Sequence, residues 1–165
     1  VMLTLPNGVQ ANSADVPGLV ETSLNLGILE KREDGLHAQF SVRSSVESAK
    51  HALIQKLAAV MALAGGTYEV SGDYPGWKYR TDSPLREKMV KLYRDMYGEN
   101  PKVEGIHAGL ECGILGSKID DLDCVSFGPQ MNDIHTTEET LSISSTKRVW
   151  EYLVRLLEKK DKKNK

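Results

Sequence analysis

The chain has 165 residues, of which 40% are hydrophobic and 27% are charged, a composition typical of a globular protein that can bury a core. Its formal net charge is −2, which excludes the strongly basic surface that attracts nucleic acid or an anionic membrane. The sequence contains no apolar run of the roughly 20 residues that a membrane-spanning helix needs.

Three strands and a helix are predicted in the first eighty residues. Stretch 6–18 is rich in turn-forming residues and reads as a loop. Apolar and polar residues alternate over 20–28 and 36–42, which is the period of half-buried strands. Apolar residues at helical spacing predict a helix over 46–64, and 67–72 reads as a third strand. Strand, strand, helix, strand is the second half of a split ferredoxin-like unit.

The pairing of the first two predicted strands can be argued from the pattern. Both apolar faces fall on even-numbered positions, so the register must bring even positions opposite each other. A three-residue loop over 33–35 then places Arg32 opposite Leu36. The same register places Asn25 opposite Arg43 on the polar side of the hairpin.

Helix boundaries carry sequence signals at two places. Ser44 and Glu47 fit a capping box, with the serine as N-cap of the first predicted helix and the glutamate three residues later. Ser83 and Pro84 predict the start of a second helix, with proline at its first position and Gly98 at its end.

The second half of the chain alternates helix and strand, as parallel α/β sheets do. We place a boundary near residue 81. The fold class is therefore α/β, with an α+β half over 1–80. The elements predicted after Gly98 are a strand over 102–109, a short helix over 110–119, a buried strand over 123–129 and a final helix over 143–159.

His135 is a candidate metal ligand, because it lies in a polar loop that follows a predicted strand, where α/β proteins build their sites. Neutral imidazole binds zinc readily, but zinc needs two or three further ligands. Glu138 and Glu139 are the nearest candidates, yet Thr136 and Thr137 more naturally cap a turn there. The segment is therefore not a complete site, and an ordinary loop histidine is the alternative.

Five further residues are candidate substrate contacts. His107 and Glu111 flank Gly109 in a predicted strand-to-helix turn, where glycine allows a ligand close to the backbone or simply serves packing. Arg43 ends a strand on its polar face and could clamp a carboxylate with two hydrogen bonds, although a solvated cation is the alternative. Asn25 would add an amide donor opposite it.

Four segments, in this order, carry a family resemblance: GLVETSLNLG (18–27), VRSSVESAK (42–50), GIHAGLECG (105–113) and SFGPQMNDIHTTEE (126–139). Together they resemble the aminoacyl-histidine dipeptidases, the Xaa-His or carnosinase-type branch of metallopeptidase family 20. The similarity extends over nearly the whole chain and corresponds to the C-terminal third of such an enzyme. It implies a partial, ferredoxin-like lid over 1–80 and the C-terminal part of a zinc-exopeptidase-like sheet-and-helix domain over 81–165.

The resemblance also implies roles for individual residues. His135 looks like the metal ligand that follows the lid, and Arg43 looks like the lid arginine that grips the substrate's terminal carboxylate. Gly109 looks like part of the loop lining the substrate pocket, with His107 and Glu111 close by, whereas Asn25 rests on the predicted pairing alone. The family's other metal ligands and its general base have no counterpart here, so no catalytic residue is expected in this chain.

The implied parent is a cytoplasmic enzyme, a homodimer through the lid, that hydrolyses Xaa-His dipeptides with two zinc ions or other divalent ions. The start at Val1 suggests an inactive fragment of it. Cys112 and Cys124, which lack CxxC spacing, favour a reduced pair in a cytosolic protein. The alternative is a non-enzymatic, ferredoxin-like binding or dimerisation module fused to an α/β segment. An upstream H-x-D motif and an adjacent Glu-Glu pair would favour the enzyme.

Overall fold

The structure of the chain, a computed structural model, describes residues 2–158. Helices and sheets are mixed, which confirms the predicted fold class. The described chain forms two compact units. The first comprises the chain up to Thr81 together with Glu104–Leu122, and the second comprises Asp82–Val103 and the chain from Asp123 onward. The assignment of 1–80 and 81–165 to a lid and a catalytic domain stays a prediction.

The first unit contains an antiparallel sheet of three strands in the order β1 (Gly8–Asn12), β2 (Val20–Arg32) and β3 (Gly35–Ser44). Helix α1 (Glu47–Leu63) packs against β3. The prediction of a loop throughout 6–18 was wrong, because β1 pairs with β2 within it. Pairing with a neighbouring strand here overrides the local preference of the residues for turns.

The predicted register of the β2–β3 hairpin was wrong along its whole length. Arg32 pairs with Gly35, so the turn between them holds two residues instead of three. This moves the tip pairing by one residue. An irregularity between Leu26 and Ile28, where Gly27 is the extra residue, shifts the pairing towards the base by one further residue in the same direction. The two changes together restore the alignment of the apolar faces only at the base of the hairpin.

As a consequence, Asn25 lies opposite Ser41, and the predicted pairing of Asn25 with Arg43 was wrong. Arg43 lies opposite Ser23. At this base, Leu24 points to the other face and is completely buried.

Helix α1 begins at Glu47 without the predicted capping box. Its N-cap is Val46, and no side chain caps it. Ser44 remains the last residue of β3, where its hydroxyl lies 2.9 Å from Thr22 Oγ1 and accepts a hydrogen bond from the Val46 amide. The carboxylate of Glu47 is paired with Lys50 instead. The cap prediction failed because the serine is held by the strand.

The second unit is built on two helices, α2 (Pro84–Tyr97) and α4 (Ile143–Glu158), which pack on each other. The predicted boundaries of α2 are confirmed, since Ser83 accepts a hydrogen bond from the Arg86 amide and Gly98 is left-handed. Residue 159, the predicted end of α4, lies outside the described residues. The core comprises Met89, Leu92 and Tyr152, surrounded by Leu85, Tyr93, Met96, Tyr97, Val125 and Leu156.

The remaining elements are short: helix α3 (Glu111–Gly116) in the first unit, and strands β4 (Met131–Asn132) and β5 (Thr140–Leu141) in the second. The strands predicted over 67–72, 102–109 and 123–129 were wrong. A strand needs a hydrogen-bonded neighbour, and none of the described residues provides one for these three segments. Their large apolar side chains are largely exposed, including Tyr68, Val70, Val103, Ile106 and Phe127.

None of the helices formed by residues 2–158 has the length and apolarity that a membrane crossing requires.

Candidate functional site

The base of the hairpin brings together two of the predicted substrate contacts, Arg43 and His107. Ser23 and Arg43 are cross-strand partners, so their side chains leave the same face of the sheet. Ser23 Oγ lies 2.7 Å from His107 Nε2. We call this set of Ser23, Arg43 and His107 the binding face. Sequence reasoning missed Ser23, because nothing in its local pattern distinguishes it from other strand serines.

The electrostatics of the binding face keep His107 neutral. Burial lowers the pKa of His107, and the positive charge of Arg43 lowers it further, while a hydrogen bond from the ring to the backbone of Val20 acts in the opposite direction. The imidazole is therefore uncharged at pH 7, and Arg43 is the cationic group of this face. A neutral ring can donate one hydrogen bond and accept another.

The other two predicted contacts are less closely joined to the binding face. Asn25 is exposed two residues further along β2, opposite Ser41. Glu111 is exposed at the first residue of α3. Their assignment as substrate contacts stays a prediction.

Three glycines spaced four residues apart, in the GIHAGLECG segment, pack closely against other parts of the unit. A β-carbon at Gly105 would lie 2.5 Å from Leu19 Cδ2, and one at Gly109 would lie 0.8 Å from the Tyr74 hydroxyl. One at Gly113 would lie 2.7 Å from the Pro75 carbonyl oxygen. Of the two readings of these glycines, packing is the one that the contacts support. That packing holds His107 where it meets Ser23.

A buried lysine, which the sequence did not single out, holds the segment that contacts Gly109 and Gly113. Lys50 of α1 is 5% exposed, and its ammonium contacts Asp73, Glu47 and the Tyr74 carbonyl. Burial alone would lower the pKa of Lys50, but hydrogen bonds to Asp73 and Glu47 outweigh that effect and raise it. The spacing of Glu47 and Lys50 signals a helical pair. Only the fold shows that the lysine side chain of this pair is buried, while the glutamate side chain is half-exposed.

In the second unit, residues 133–139 connect β4 to β5 and form what we call the His135 loop. Its backbone is held internally: Thr136 Oγ1 donates to the Asp133 carbonyl over 2.7 Å, and the His135 amide donates to Glu139 Oε2 over 2.9 Å. His135 is left-handed, with φ of 69°, a conformation uncommon for a residue with a side chain. The imidazole itself is exposed.

The residues of this loop do not amount to a zinc site. One carboxylate oxygen of Glu139 is already engaged by the His135 amide. Across residues 2–158, no three His, Cys, Asp or Glu side chains are grouped closely enough to hold a metal ion. The exposed imidazole is suited to be one ligand of a site whose other ligands come from elsewhere.

Known proteins are similar to this chain over almost its whole length. It is 35% identical over 152 residues, 92% of the chain, to the cytosol non-specific dipeptidase of Escherichia coli. Over 93% of the chain, the crystal structure of aminoacylhistidine dipeptidase from Vibrio alginolyticus superposes with a TM-score of 0.82 at 38% identity. The predicted resemblance is confirmed.

A more distant structure extends the likeness of fold. Aminopeptidase PepT from Bacillus cereus superposes over 94% of the chain with a TM-score of 0.72, at 18% identity. The matched region is 42% of the length of PepT. No family model matches the chain. The chain spans 31% of the length of each of the two dipeptidases.

Proposed function

We propose that this chain supplies the substrate-binding face and one metal ligand of a metal-dependent dipeptidase that acts on Xaa-His peptides. The observation that carries the proposal is the binding face, where a cationic Arg43 and a neutral His107 are held side by side. The two similar proteins are dipeptidases by name, and the sheet and helix that hold this face lie in the region of likeness. The natural gene product that contains this sequence is called the parent protein below.

Arg43 is proposed to bind the terminal carboxylate of the dipeptide. Its guanidinium can form two parallel hydrogen bonds to a carboxylate, which fixes the orientation of the substrate as well as its position. The arginine is exposed at the end of β3 and so is accessible to a ligand.

His107 is proposed to line the pocket beside Arg43 with the carbon atoms of its ring, because both ring nitrogens are already hydrogen-bonded. Ser23 and the Val20 backbone occupy hydrogen-bonding positions of the ring and fix its orientation. Because the ring carries no charge, it does not compete with Arg43 for the carboxylate. Gly109 and Glu111, which follow in the chain, are proposed to line the same pocket, with Asn25 at its edge.

His135 is proposed as one metal ligand. Its left-handed backbone is the kind of uncommon conformation that clusters at functional sites, and the residue is exposed. When bound, zinc would polarise the scissile carbonyl and lower the pKa of a bound water. The remaining ligands and the general base are proposed to come from parts of the parent outside this sequence.

The hairpin tip, residues 28–36, is the proposed contact between two copies of the parent. Ile28, Leu29 and Leu36 are 48%, 50% and 59% exposed. Leu29 and Leu36 leave one face of the hairpin and Ile28 leaves the other, and exposed apolar side chains of this kind are typical of an interface between proteins. A cytoplasmic location is proposed by analogy with the cytosolic relative.

The test is hydrolysis by the metal-loaded parent of a His-terminated dipeptide and of the same peptide with its carboxylate converted to an amide. We expect kcat/KM to be lower for the amide by about 10²-fold, because Arg43 has no carboxylate to bind. Arg43→Ala should bring the kcat/KM values of the two substrates close together. Arg94→Ala, which removes an exposed arginine on α2, is the control and should leave the difference intact.

A parent that hydrolyses neither substrate when loaded with zinc would overturn the proposal and favour a non-enzymatic binding module. Equal kcat/KM for the dipeptide and its amide would leave the proposed dipeptidase activity standing. It would show that Arg43 does not bind the terminal carboxylate.

A further inference from the structure

The 73–76 segment is neither helix nor strand, yet side chains of α1 hold it at successive positions. Lys50 Nζ lies 2.5 Å from Asp73 Oδ1 and 2.9 Å from the Tyr74 carbonyl oxygen. The same ammonium lies 2.8 Å from Glu47 Oε1. An ammonium has three N–H groups, so these three contacts satisfy all of them.

This arrangement, which we call the Lys50 clamp (Lys50, Glu47 and Asp73), is continued at the end of the segment. The Gly76 amide donates to Glu47 Oε2 over 3.4 Å. A β-carbon at Gly76 would lie 2.6 Å from the Ser44 carbonyl oxygen, so the glycine is pressed against the end of β3. Lysine is rarely buried unless its ammonium is fully paired, as it is here. The clamp is therefore a specific buried interaction and not a chance surface contact.

The clamp fixes the position of Tyr74. With its carbonyl held by Lys50, the tyrosine ring extends to Gly109, where its hydroxyl occupies the space that a side chain would need. The tyrosine is nevertheless 45% exposed, so part of the ring is available to a ligand. Gly109 follows His107 by two residues, a separation of at most about 7 Å along the chain, so the ring lies near the binding face.

We propose that Tyr74 is a specificity-determining residue of the binding face and that Lys50 is the residue that positions it. This inference rests on the proposed dipeptidase function. The exposed part of a phenol ring favours a planar substrate side chain, such as an imidazole, over a peptide that lacks a side chain there. Without the clamp, the 73–76 segment has no helix or strand to keep the ring in place.

The experiment measures, in the metal-loaded parent, the ratio of kcat/KM for a His-terminated dipeptide to that for the matched Gly-terminated dipeptide. Tyr74→Ala and Lys50→Met should each lower this ratio by about tenfold, since an aromatic pair contributes at most about that factor. The double variant should show no further loss, because the lysine acts through the tyrosine. Lys56→Met, an exposed lysine on the same helix, is the control and should leave the ratio unchanged.

A second readout does not depend on activity. Trp77 follows the clamped segment directly and is half-buried, so in a Trp150→Phe background its fluorescence reports on the segment. Lys50→Met should increase quenching of this fluorescence by acrylamide, and Lys56→Met should not. Folding should survive Lys50→Met, because side chains of Glu47 and Asp73 are half-exposed and remain solvated.

The outcomes separate the two proposals. Normal dipeptide hydrolysis with an unchanged substrate ratio in both Tyr74→Ala and Lys50→Met would overturn the role of Tyr74 and leave the proposed function standing. If both variants lowered kcat/KM by the same factor for every dipeptide, the Lys50 clamp would be merely structural. That result would also overturn the role of Tyr74 in specificity. Increased Trp77 quenching in a parent that hydrolyses no dipeptide would instead refute the proposed function.

Discussion

The binding face and the His135 loop carry the two halves of the proposed chemistry, and they are held in different ways. Ser23 and Arg43 are placed by strand pairing, and His107 by a long-range hydrogen bond and closely packed glycines. The His135 loop is held by hydrogen bonds among its own residues. The proposed substrate side is thus assembled from distant parts of this chain, whereas on the proposed metal side residues 2–158 offer His135 and no group of three candidate ligands.

The largest effect is expected on the metal side. His135→Asn should lower kcat of the parent by roughly 10³-fold or more, because metal stabilisation of a transition state amounts to several kcal/mol. Asparagine tolerates the left-handed conformation, so the loop should keep its shape. Steady-state kinetics and the zinc content of the purified variant are the measurements.

Two results would weaken this assignment. One is an active His135→Asn variant with unchanged zinc content. The other is tight, stoichiometric zinc binding by the 165-residue chain alone in a calorimetric titration, which would revive a local site with Glu138 or Glu139. We expect weak binding at best, since one imidazole and a nearby carboxylate are too few ligands.

The next effect is on the substrate side. Arg43→Ala should lower kcat/KM by about 10²-fold, and Arg43→Lys should recover only part of the loss because a point charge cannot make the two-pronged contact. The melting temperature should change little, since an exposed arginine contributes at most about 1 kcal/mol to stability. Unchanged kinetics with a large drop in melting temperature would make Arg43 a structural residue.

A smaller effect should follow from filling the glycine contacts that hold His107. Gly113→Ala should destabilise the protein by about 1–3 kcal/mol, because its β-carbon would meet a backbone oxygen that cannot move aside easily. Gly116→Ala is the matched control, since nothing lies within 4 Å of a β-carbon there. Thermal or denaturant unfolding of the two variants compares them, and equal stability would show that the contact relaxes freely.

The smallest effect concerns pH. Because the pKa of His107 is lowered in the folded state, the unfolded chain takes up this proton at higher pH than the folded chain does. The free energy of unfolding should therefore fall as the pH drops below about 6.5 and level off below the folded pKa. His107→Gln should flatten this slope.

Melts between pH 5 and pH 8 measure this, with Asn25→Ala as a control that changes no titrating group. An unchanged slope in His107→Gln would mean that burial and Arg43 do not hold the ring neutral.

The same contrast between local and distant contacts explains what the sequence could predict. Ser83, Pro84 and Gly98 act within one helical turn of their own positions, and the predicted ends of α2 are confirmed. Ser44 carried an equally clear local signal, but strand pairing with Thr22 took its hydroxyl and the cap did not form. A local signal holds only where no distant partner competes for the same group.

Register and burial depended on information that no short window contains. The shift at Gly27 reconciles a two-residue turn with aligned apolar faces at the base, and both requirements must be known at once to infer it. The burial of Lys50 depends on Asp73, which is far along the chain and has no signal of its own. The candidates Arg43 and His107 were found from their motifs, but their proximity follows from the fold alone.

The three glycines of the GIHAGLECG segment also limit which amino-acid substitutions this region can accept during evolution. Any substitution of a glycine adds at least one carbon atom, so every amino-acid substitution at these three positions meets a neighbouring atom. At Gly105 and Gly109 the obstructing atoms belong to side chains of Leu19 and Tyr74, which a compensating mutation could shorten. At Gly113 the obstruction is backbone, which no second mutation can trim. Mutational tolerance should therefore fall along the segment, with Gly113 the position least open to drift.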